Sequence, residues 1–240
     1  MKQIDYIIPT WNSETTLEIT LKSIKEYGNP NEIIIVDRHS NDDTELIAKR
    51  NNCKIIKSNK SLGSARRDGA NAASTELVSF VDSDVELRES WQDLLRIALQ
   101  GNYNDAGVFG AYYDDLLSYN NDWPIKLDGG NGAFGCIITR RSCILSCKEM
   151  EEFSSAEDRI YAKYLSRKGL KWYIFPISVR HNQNLTKIPY YLRLRWLGAG
   201  LRVQDGFQLG NVKKILGGAV FGIRMNHLDI SYIENWRLRW

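Results

Sequence analysis

The sequence is poor in cysteine, and its few cysteines lack metal-binding spacing. Cys53, Cys136, Cys143 and Cys147 form no Cys-x-x-Cys pair and have no histidine at zinc-site spacing. A disulfide framework or a zinc site is therefore not expected. We expect buried thiols that stay reduced, in a reducing compartment.

The sequence also lacks a long apolar run. Runs such as Ile33–Val36 and Ala219–Ile223 fall far short of the ~20 apolar residues that a membrane-spanning helix needs. Near the N-terminus, Asp5 stands where a signal peptide would have its apolar run, and Pro9 interrupts the early hydrophobic stretch. We expect a cytoplasmic protein that does not cross a bilayer.

No charge of one sign dominates the 240 residues, in which 32 Lys and Arg oppose 29 Asp and Glu. Hydrophobic residues make up 43% and charged residues 25%, which is the balance of an ordinary globular chain. This composition excludes a disordered, collagen-like or coiled-coil architecture, and the net charge of +3 argues against wholesale nucleic-acid binding. The length fits one large α/β domain with an appendage.

Short β-branched runs alternate with helical patterns along the first 100 residues. This alternation predicts βαβ units around a mostly parallel central sheet flanked by helices. The predicted strands are Ile4–Ile8, Glu32–Val36, Lys54–Ile56 and Leu77–Val81, and the predicted helices are Glu14–Tyr27, Asp43–Asn51, Ser64–Ala73 and Glu89–Gln100. Further strands at Ala106–Tyr113, Ala133–Thr139 and Lys171–Phe175 and a helix at Ser155–Lys168 follow, with a polar connection from Asp114 to Asn131.

Polar side chains follow three of the predicted strands, at the edge where parallel α/β sheets bind ligands. The first strand leads into Pro9–Asn12, the second into Asp37–Ser40 and the fourth into Asp82–Asp84. Two carboxylates at i and i+2 repel each other unless a cation lies beside them, and Mg²⁺ or Mn²⁺ prefers oxygen ligands and neutralises phosphates. The sequence therefore predicts a divalent-metal and phosphate site at this edge.

In order and spacing, these segments resemble the family 2 glycosyltransferases, which have the GT-A nucleotide-diphospho-sugar transferase fold. The resemblance extends over roughly residues 3–181. Its segments are the Pro-Thr-x-Asn turn at Ile7–Asn12, the second strand and its loop at Glu32–Thr44, the Ala-Arg-containing helix at Gly63–Ala73, the Asp-x-Asp segment at Phe80–Asp84, the acceptor-side strand at Gly129–Arg141 and the Glu-Asp pair within Ser155–Asp158.

The resemblance implies a nucleotide-sugar site with a divalent cation, Mn²⁺ or Mg²⁺. Asp37 would accept a hydrogen bond from the nucleobase and favour uridine, and Asp82 would contact the ribose or reach the metal through water. Asp84 would ligate the metal, and His181 would either complete the metal site or be a structural residue. The implied donor-binding residues are Pro9, Thr10, Asn12, Asp37, Ser40, Arg66, Asp82 and Ser83.

Several roles stay open between alternatives. Asp158 is the family match for the catalytic base, with Glu157 as its rival, and both acids could instead stabilise the N-terminus of their helix. Arg66 or its neighbour Arg67 would contact the nucleotide while the other is solvated. Trp123 would line the acceptor site or only pack within its loop.

Residues 188–240 differ in composition from the rest of the chain. They carry eight Lys and Arg against three Asp and Glu, a net charge of +5, which leaves −2 for residues 1–187. We expect a GT-A catalytic domain over 1–187, with a nucleotide-binding half (1–100) and an acceptor-binding half (101–187). The basic, aromatic helical extension would lie on an anionic membrane surface at the inner face of the cell membrane, or pack on the domain or in a homodimer.

The sequence therefore predicts a metal-dependent inverting glycosyltransferase. It would move a sugar from a nucleotide-diphosphate sugar, expected to be a UDP-sugar, to a hydroxyl of a glycan or lipid-linked saccharide. A sugar-phosphate nucleotidyltransferase would open with a glycine-rich loop, which residues 7–14 do not have. The alternative is a catalytically inactive sugar-nucleotide or glycan-binding module of the same fold.

Overall fold

The computed structural model describes residues 2–114, 124–127, 133–153 and 157–182. Trp123, Ser155 and the whole extension 188–240 lie outside these ranges, so the expectations about them stay predictions. None of the helices within the described ranges combines the length and the apolar character that crossing a bilayer requires.

Nine strands form the sheet of the described residues, in the order β3-β2-β1-β4-β8-β6-β9-β5, with β7 also paired to β9. Pairing is parallel through β3, β2, β1 and β4 and again between β6 and β9, and antiparallel elsewhere. The strands are β1 Ile4–Thr10, β2 Pro30–Asp37, β3 Lys54–Lys57, β4 Leu77–Val81, β5 Val85–Glu86, β6 Ala106–Tyr113, β7 Ile125–Leu127, β8 Cys136–Arg140 and β9 Lys171–His181. The predicted α/β sheet is confirmed, with its all-parallel part confined to the first half.

Helices cover the sheet and begin or end where the sequence provides a signal. The Ser61 hydroxyl accepts a hydrogen bond from the Ser64 amide (3.0 Å) at the start of α3, and Gly101 ends α4 with a φ of 72°. The helices are α1 Leu17–Tyr27, α2 Thr44–Arg50, α3 Leu62–Ala72, α4 Trp91–Gln100, α5 Arg141–Ser146 and α6 Glu157–Arg167, with a 3-10 helix at Lys148–Glu152.

The core has two parts, because β1 sends alternate side chains to opposite faces of the sheet. Tyr6 packs with α1 and α4 on one face, whereas Ile7 packs with α3 on the other. The indole of Trp91 donates to the Tyr6 hydroxyl (2.9 Å), which donates to the Gly28 carbonyl (2.8 Å). Helices on both faces leave the strand ends as the accessible edge of the sheet.

The order of elements follows the sequence prediction, but four short elements were not predicted. β5 has only two residues, and its pairing of Val85 with His181 comes from a strand almost 100 positions later, which no local pattern indicates. β7 lies inside the expected polar connection 114–131. The helix α5 and the 3-10 helix lie between β8 and α6 and continue the chain toward Asp158.

The sheet order brings the predicted site segments together. Thr10 and Asp37 are direct neighbours at the ends of β1 and β2, and Asp37 is opposite Lys57 at the end of β3. β8 runs antiparallel to β4, so the residues just before β8 lie beside those just after β4. Accordingly, the Asp82 amide donates to the Gly135 carbonyl (3.1 Å).

Candidate active site

Asp37 is fully buried and accepts four hydrogen bonds. Its donors are the Thr10 hydroxyl (3.0 Å), the amide and hydroxyl of Ser40, and the Lys57 ammonium (2.8 Å). Burial works to raise the pKa of Asp37, but the bonds from Lys57, Ser40 and Thr10 outweigh it and hold the pKa below its ordinary value. Both carboxylate oxygens are thus engaged inside the protein, and its contact with a nucleobase stays a prediction.

The loops after β1 and β2 are tied to each other. The Asn12 amide donates to the Ser40 hydroxyl (2.8 Å), and the Asn12 side-chain oxygen accepts from the Asn41 amide (2.9 Å). Asn12 has a left-handed φ of 50°, which asparagine tolerates better than most residues. Pro9, half-buried, pairs with Val36 in the strands just before these loops. Hydrogen bonds and strand pairing therefore connect the predicted donor-binding residues of the two loops.

The Asp82–Asp84 segment forms a tight turn fixed from two sides. Within it the Val85 amide donates to the Asp82 carbonyl (3.1 Å). The Ser83 hydroxyl lies 2.9 Å from the Ser13 hydroxyl, and the Ser83 carbonyl accepts from the Thr20 hydroxyl (3.0 Å). Ser83 therefore contacts α1 and its preceding turn, and the two flanking carboxylates are presented by a restrained backbone.

Asp84 and His181 are the two predicted metal ligands, and the structure brings them together. Asp84 Oδ2 lies 3.5 Å from His181 Nε2, and the ring of Tyr113 stacks on the imidazole at 4.3 Å. A carboxylate with an imidazole suits Mn²⁺. In the part of the chain that the structure describes, no group of three or more acidic, histidine or cysteine side chains is placed to hold a metal ion. A cation held by Asp84 and His181 would therefore take its remaining ligands from outside this pair.

Arg66 joins the two sides of the site. Its Nη2 lies 3.1 Å from Asp82 Oδ1, and its Nε lies 3.2 Å from Glu157 Oε1. Arg66 and Glu157 are buried, whereas the Asp82 side chain is 36% exposed and can still meet a ligand. Burial raises the pKa of Glu157, and the Arg66 cation opposes that rise.

Asp158 lies in the first turn of α6, beside this ion pair. Burial raises its pKa to about 7, with a further contribution from the negative charge of Glu157. The Arg159 amide donates to Asp158 Oδ1 (2.7 Å), so the carboxyl also accepts from a backbone amide in the first turn of α6. A carboxyl with a pKa near neutrality has the proton affinity that a general base needs.

Arg67 departs from the expectation that it contacts the nucleotide or is merely solvated. Its Nη2 donates to the Leu145 carbonyl (2.7 Å) and its Nε to the Ile144 carbonyl (3.3 Å), and Nη1 pairs with Glu151. These carbonyls end α5, where a cation is favourable. Arg67 therefore fastens α3 to the segment that precedes α6.

Three residues near the site were missed by the sequence prediction. Lys57 neutralises Asp37, Tyr113 contacts both Asp82 (3.4 Å) and His181, and Gly135 lies against Asp82 and Tyr113. A Cβ on Gly135 would lie 2.2 Å from Asp82 Oδ2, so a larger residue would displace the Asp82 carboxyl. The glycine just before a strand was the one available signal, because such a glycine often marks a close approach.

Together, the sheet order and the acidic turn after β4 define a class of protein, the glycosyltransferases with a GT-A fold. Residues 5–146 match the family model described as Glycosyl transferase family 2, and the chain belongs to that family. The curated Bacillus subtilis (strain 168) protein named "Putative glycosyltransferase EpsH" is 32% identical over 122 residues, which span 47% of this chain and 35% of that protein. The chain thus matches about a third of this relative's length.

Two solved structures show the same fold at low sequence identity. S. aureus TarS 1–349 in complex with UDP-GlcNAc is 19% identical with a TM-score of 0.55, and covers 95% of this chain and 74% of its own. The mannosyltransferase PcManGT from Pyrobaculum calidifontis, in complex with GDP-Man and Mn²⁺, is 15% identical with a TM-score of 0.63. The match covers 95% of this chain and 76% of PcManGT. These matches confirm the GT-A fold.

Proposed function

We propose that this protein is a metal-dependent inverting glycosyltransferase. It moves a sugar from a nucleotide-diphosphate sugar, with UDP as the preferred nucleotide, to a hydroxyl of a glycan or lipid-linked saccharide. One observation carries the proposal: the acidic turn after β4 and the first turn of α6, which carries Asp158, are joined through a single guanidinium, Arg66. A donor at the turn and a base at α6 would therefore belong to one site.

The proposed chemistry gives each acid a separate task. The Asp158 carboxylate accepts the proton of the acceptor hydroxyl while that oxygen attacks the anomeric carbon, opposite the departing nucleoside diphosphate. The new bond forms as the bond from the anomeric carbon to the diphosphate oxygen breaks, which inverts the configuration. Asp84 and His181 would hold Mn²⁺ or Mg²⁺, which when bound neutralises charge on the diphosphate.

The nucleotide preference rests on Asp37 and its surroundings. In TarS and PcManGT the bound donors are UDP-GlcNAc and GDP-Man, so nucleotide-sugar binding is common to both while the base differs. An ionised Asp37 accepts hydrogen bonds only, which matches the N–H of uracil. Contact with the base would require one of its four present donors to be exchanged for the nucleobase.

The extension 188–240 is proposed to place the enzyme at the inner face of the cell membrane. Its charge of +5 and its Trp and Tyr residues are the composition of a segment that binds anionic lipid surfaces. Such placement suits a lipid-linked acceptor. Packing on the catalytic domain or a homodimer contact is the competing arrangement.

The test follows release of the nucleoside diphosphate from candidate donors with Mn²⁺, with Mg²⁺ and with chelator. Asp158→Asn is expected to lower turnover at least ~100-fold, since general-base catalysis contributes ~10²–10⁴. Asp84→Ala is expected to lower turnover as well, since it removes a ligand of the metal that would neutralise charge on the diphosphate. The control is Asp93→Asn, an acid on α4 that is 53% exposed and pairs only with Arg96 in the described contacts. Unchanged turnover in both site variants would overturn the catalytic assignment.

Binding is measured on the same proteins by thermal shift with nucleotides and Mn²⁺. A ligand at 100 times its Kd stabilises the native state by ~2.7 kcal/mol. A wild type that is stabilised by UDP and Mn²⁺, yet releases no nucleotide from any donor, would instead indicate the inactive binding module.

A further inference from the structure

Arg66 is buried between two carboxylates from different halves of the fold. It projects from α3 and is 2% exposed. Asp82, at one end of its guanidinium, follows β4 on the donor side of the site. Glu157, at the other end, is the first residue of α6 and the direct neighbour of Asp158. We call Arg66 with Asp82 and Glu157 the Arg66 bridge.

Aromatic rings fix the plane of this guanidinium. Its central carbon lies 4.7 Å from the ring centre of Phe134 and 5.6 Å from that of Phe80, and the two rings meet edge to face at 5.3 Å. Stacking against rings and pairing through two separate nitrogens are properties of arginine that lysine does not share. The Arg66 Nη1 is buried and makes no hydrogen bond among the described residues, so the group is held by its other two nitrogens.

Helix α3, which carries Arg66, also contacts the segment that precedes α6. The Gly63 amide of α3 donates to the Phe153 carbonyl (2.9 Å), and the Ser64 hydroxyl donates to the Glu151 carbonyl (3.2 Å). A Cβ on Gly63 would lie 1.8 Å from the Met150 carbonyl oxygen, which shows how closely α3 approaches this segment. α3 therefore contacts the chain both just before α6 and at its first residue.

We propose that Arg66 is a positioning residue, which aligns the Asp158 carboxyl with the bound donor by holding Asp82 and Glu157 on one guanidinium. The inference rests on the proposed function and assigns Arg66 a role other than contact with the nucleotide. In this role Arg66 acts through Asp82 and Glu157, the two carboxylates that it contacts. Because Glu157 precedes Asp158, a fixed Glu157 fixes the first turn of α6 and with it the direction of the base.

The test compares two adjacent arginines of α3 in the full-length protein. Arg66→Lys keeps the charge but cannot span both carboxylates, and it is expected to lower kcat at least ~10-fold while the KM for the donor changes less than ~3-fold, as for lost alignment rather than lost binding. Arg67→Lys is the matched control, since Arg67 contacts α5 and Glu151 and not the site acids. Its kcat is expected to stay within ~2-fold of the wild type.

A thermodynamic cycle covers the case in which Arg66→Lys folds poorly. If Arg66 acts through Glu157, then Arg66→Lys in a Glu157→Gln background costs less than it does in the wild type, because residues that act as one unit are not additive. Thermal unfolding of all four proteins separates loss of fold from loss of alignment. Additive losses in kcat would overturn the bridge.

The outcomes distinguish failure of the Arg66 bridge from failure of the proposed function. A wild type that turns over no nucleotide sugar overturns the proposed function, and the bridge with it. An active wild type with equal losses in Arg66→Lys and Arg67→Lys overturns the bridge alone. The bridge is also overturned if Arg66→Lys loses kcat/KM and a rise in nucleotide Kd accounts for that whole loss, because Arg66 would then be a nucleotide contact. A kcat loss confined to Arg66→Lys, with nucleotide Kd unchanged, supports the bridge.

Discussion

The Asp158 carboxyl owes its basicity to its surroundings rather than to its residue type. An exposed aspartic acid has a pKa near ~3.9 and would be a weak base at neutral pH. Here burial, and after it the charge of Glu157, raise the pKa to about 7, while the Arg66 cation pulls it down. As the proposed base, Asp158 would thus have a useful strength at the cost of being partly protonated near neutral pH.

This pKa predicts how activity depends on pH. The base works only when deprotonated, so kcat/KM is expected to rise with pH and level off above about 7. Glu157→Gln removes a charge that raises the pKa of Asp158. The rise of kcat/KM with pH, which is the acidic limb of the profile, is therefore expected to move to lower pH. Initial rates from pH 5 to 9 at subsaturating donor measure this rise in kcat/KM for the wild type and for Glu157→Gln. An acidic limb that stays in place in Glu157→Gln would contradict this account of the pKa.

Gly135 gives the second residue-scale prediction. A methyl group at this position would collide with Asp82 Oδ2 and the Tyr113 hydroxyl, both at 2.2 Å, and so displace the acid that is proposed to contact the donor. Gly135→Ala is expected to lower kcat/KM at least ~10-fold, equivalent to ~1.4 kcal/mol of lost transition-state stabilisation.

A second glycine provides the control for that experiment. Gly101 has a φ of 72° and no atom within 4 Å of an added Cβ, so Gly101→Ala strains only the backbone. It is expected to lower the unfolding temperature while leaving kcat/KM near the wild type. If both variants lose activity in proportion to stability, Gly135 has no special place in the site.

At the scale of elements, α1 is the support of the acidic turn. The Thr20 hydroxyl donates to the Ser83 carbonyl (3.0 Å), and Thr20 is fully buried. Thr20→Val keeps the shape but leaves that carbonyl without its donor, which costs about 1–3 kcal/mol. The loosened turn is expected to raise the Mn²⁺ concentration for half-maximal activity several-fold.

Thr20→Ser is the matched control for this prediction, because it keeps the hydroxyl and removes only a methyl group. Mn²⁺ titrations of both variants at saturating donor measure the effect. Equal half-saturating concentrations in the valine and serine variants would show that the hydrogen bond to Ser83 does not govern metal binding.

Elements with a local signal were predictable from the sequence, and elements held by distant partners were not. The strands from β1 to β4 and the helices between them follow from apolar runs and helical periodicity. β5 exists because Val85 and Glu86 pair with the end of β9, and β7 because Ile125–Leu127 pairs with Trp172–Ile174. Such pairing depends on the sheet order, which the periodicity does not contain.

The same division applies to the candidate site. Asp82, Asp84 and Asp158 lie in short motifs that can be recognised along the chain. The partner of Arg66 in α6 is 91 residues away, and the closeness of Gly135 to Asp82 follows from the antiparallel pairing of β8 with β4. The sequence therefore predicted the candidate site residues, whereas the contacts that tune them required the fold.

For the whole molecule, the uneven charge leads to a prediction about membranes. The full chain is expected to co-sediment with vesicles rich in anionic lipid, and to remain in solution with zwitterionic vesicles. Each basic residue near an anionic surface contributes ~1 kcal/mol, and screening over ~8 Å at physiological salt weakens this attraction. Binding is therefore expected to fall as salt is raised, and equal, negligible pelleting with both lipids would end the membrane proposal.

The strand order has a consequence for how the chain is made. β3, β2, β1 and β4 can assemble once the first 81 residues exist, but the outer edge of β4 is paired by β8, whose last residue is Arg140. Until then, an emerging chain exposes the apolar strand Leu77–Val81 with an open row of backbone hydrogen-bonding groups. A truncated product that ends between Val81 and Arg140 is expected to associate with other chains edge to edge. A pause in translation between these residues would favour aggregation for the same reason.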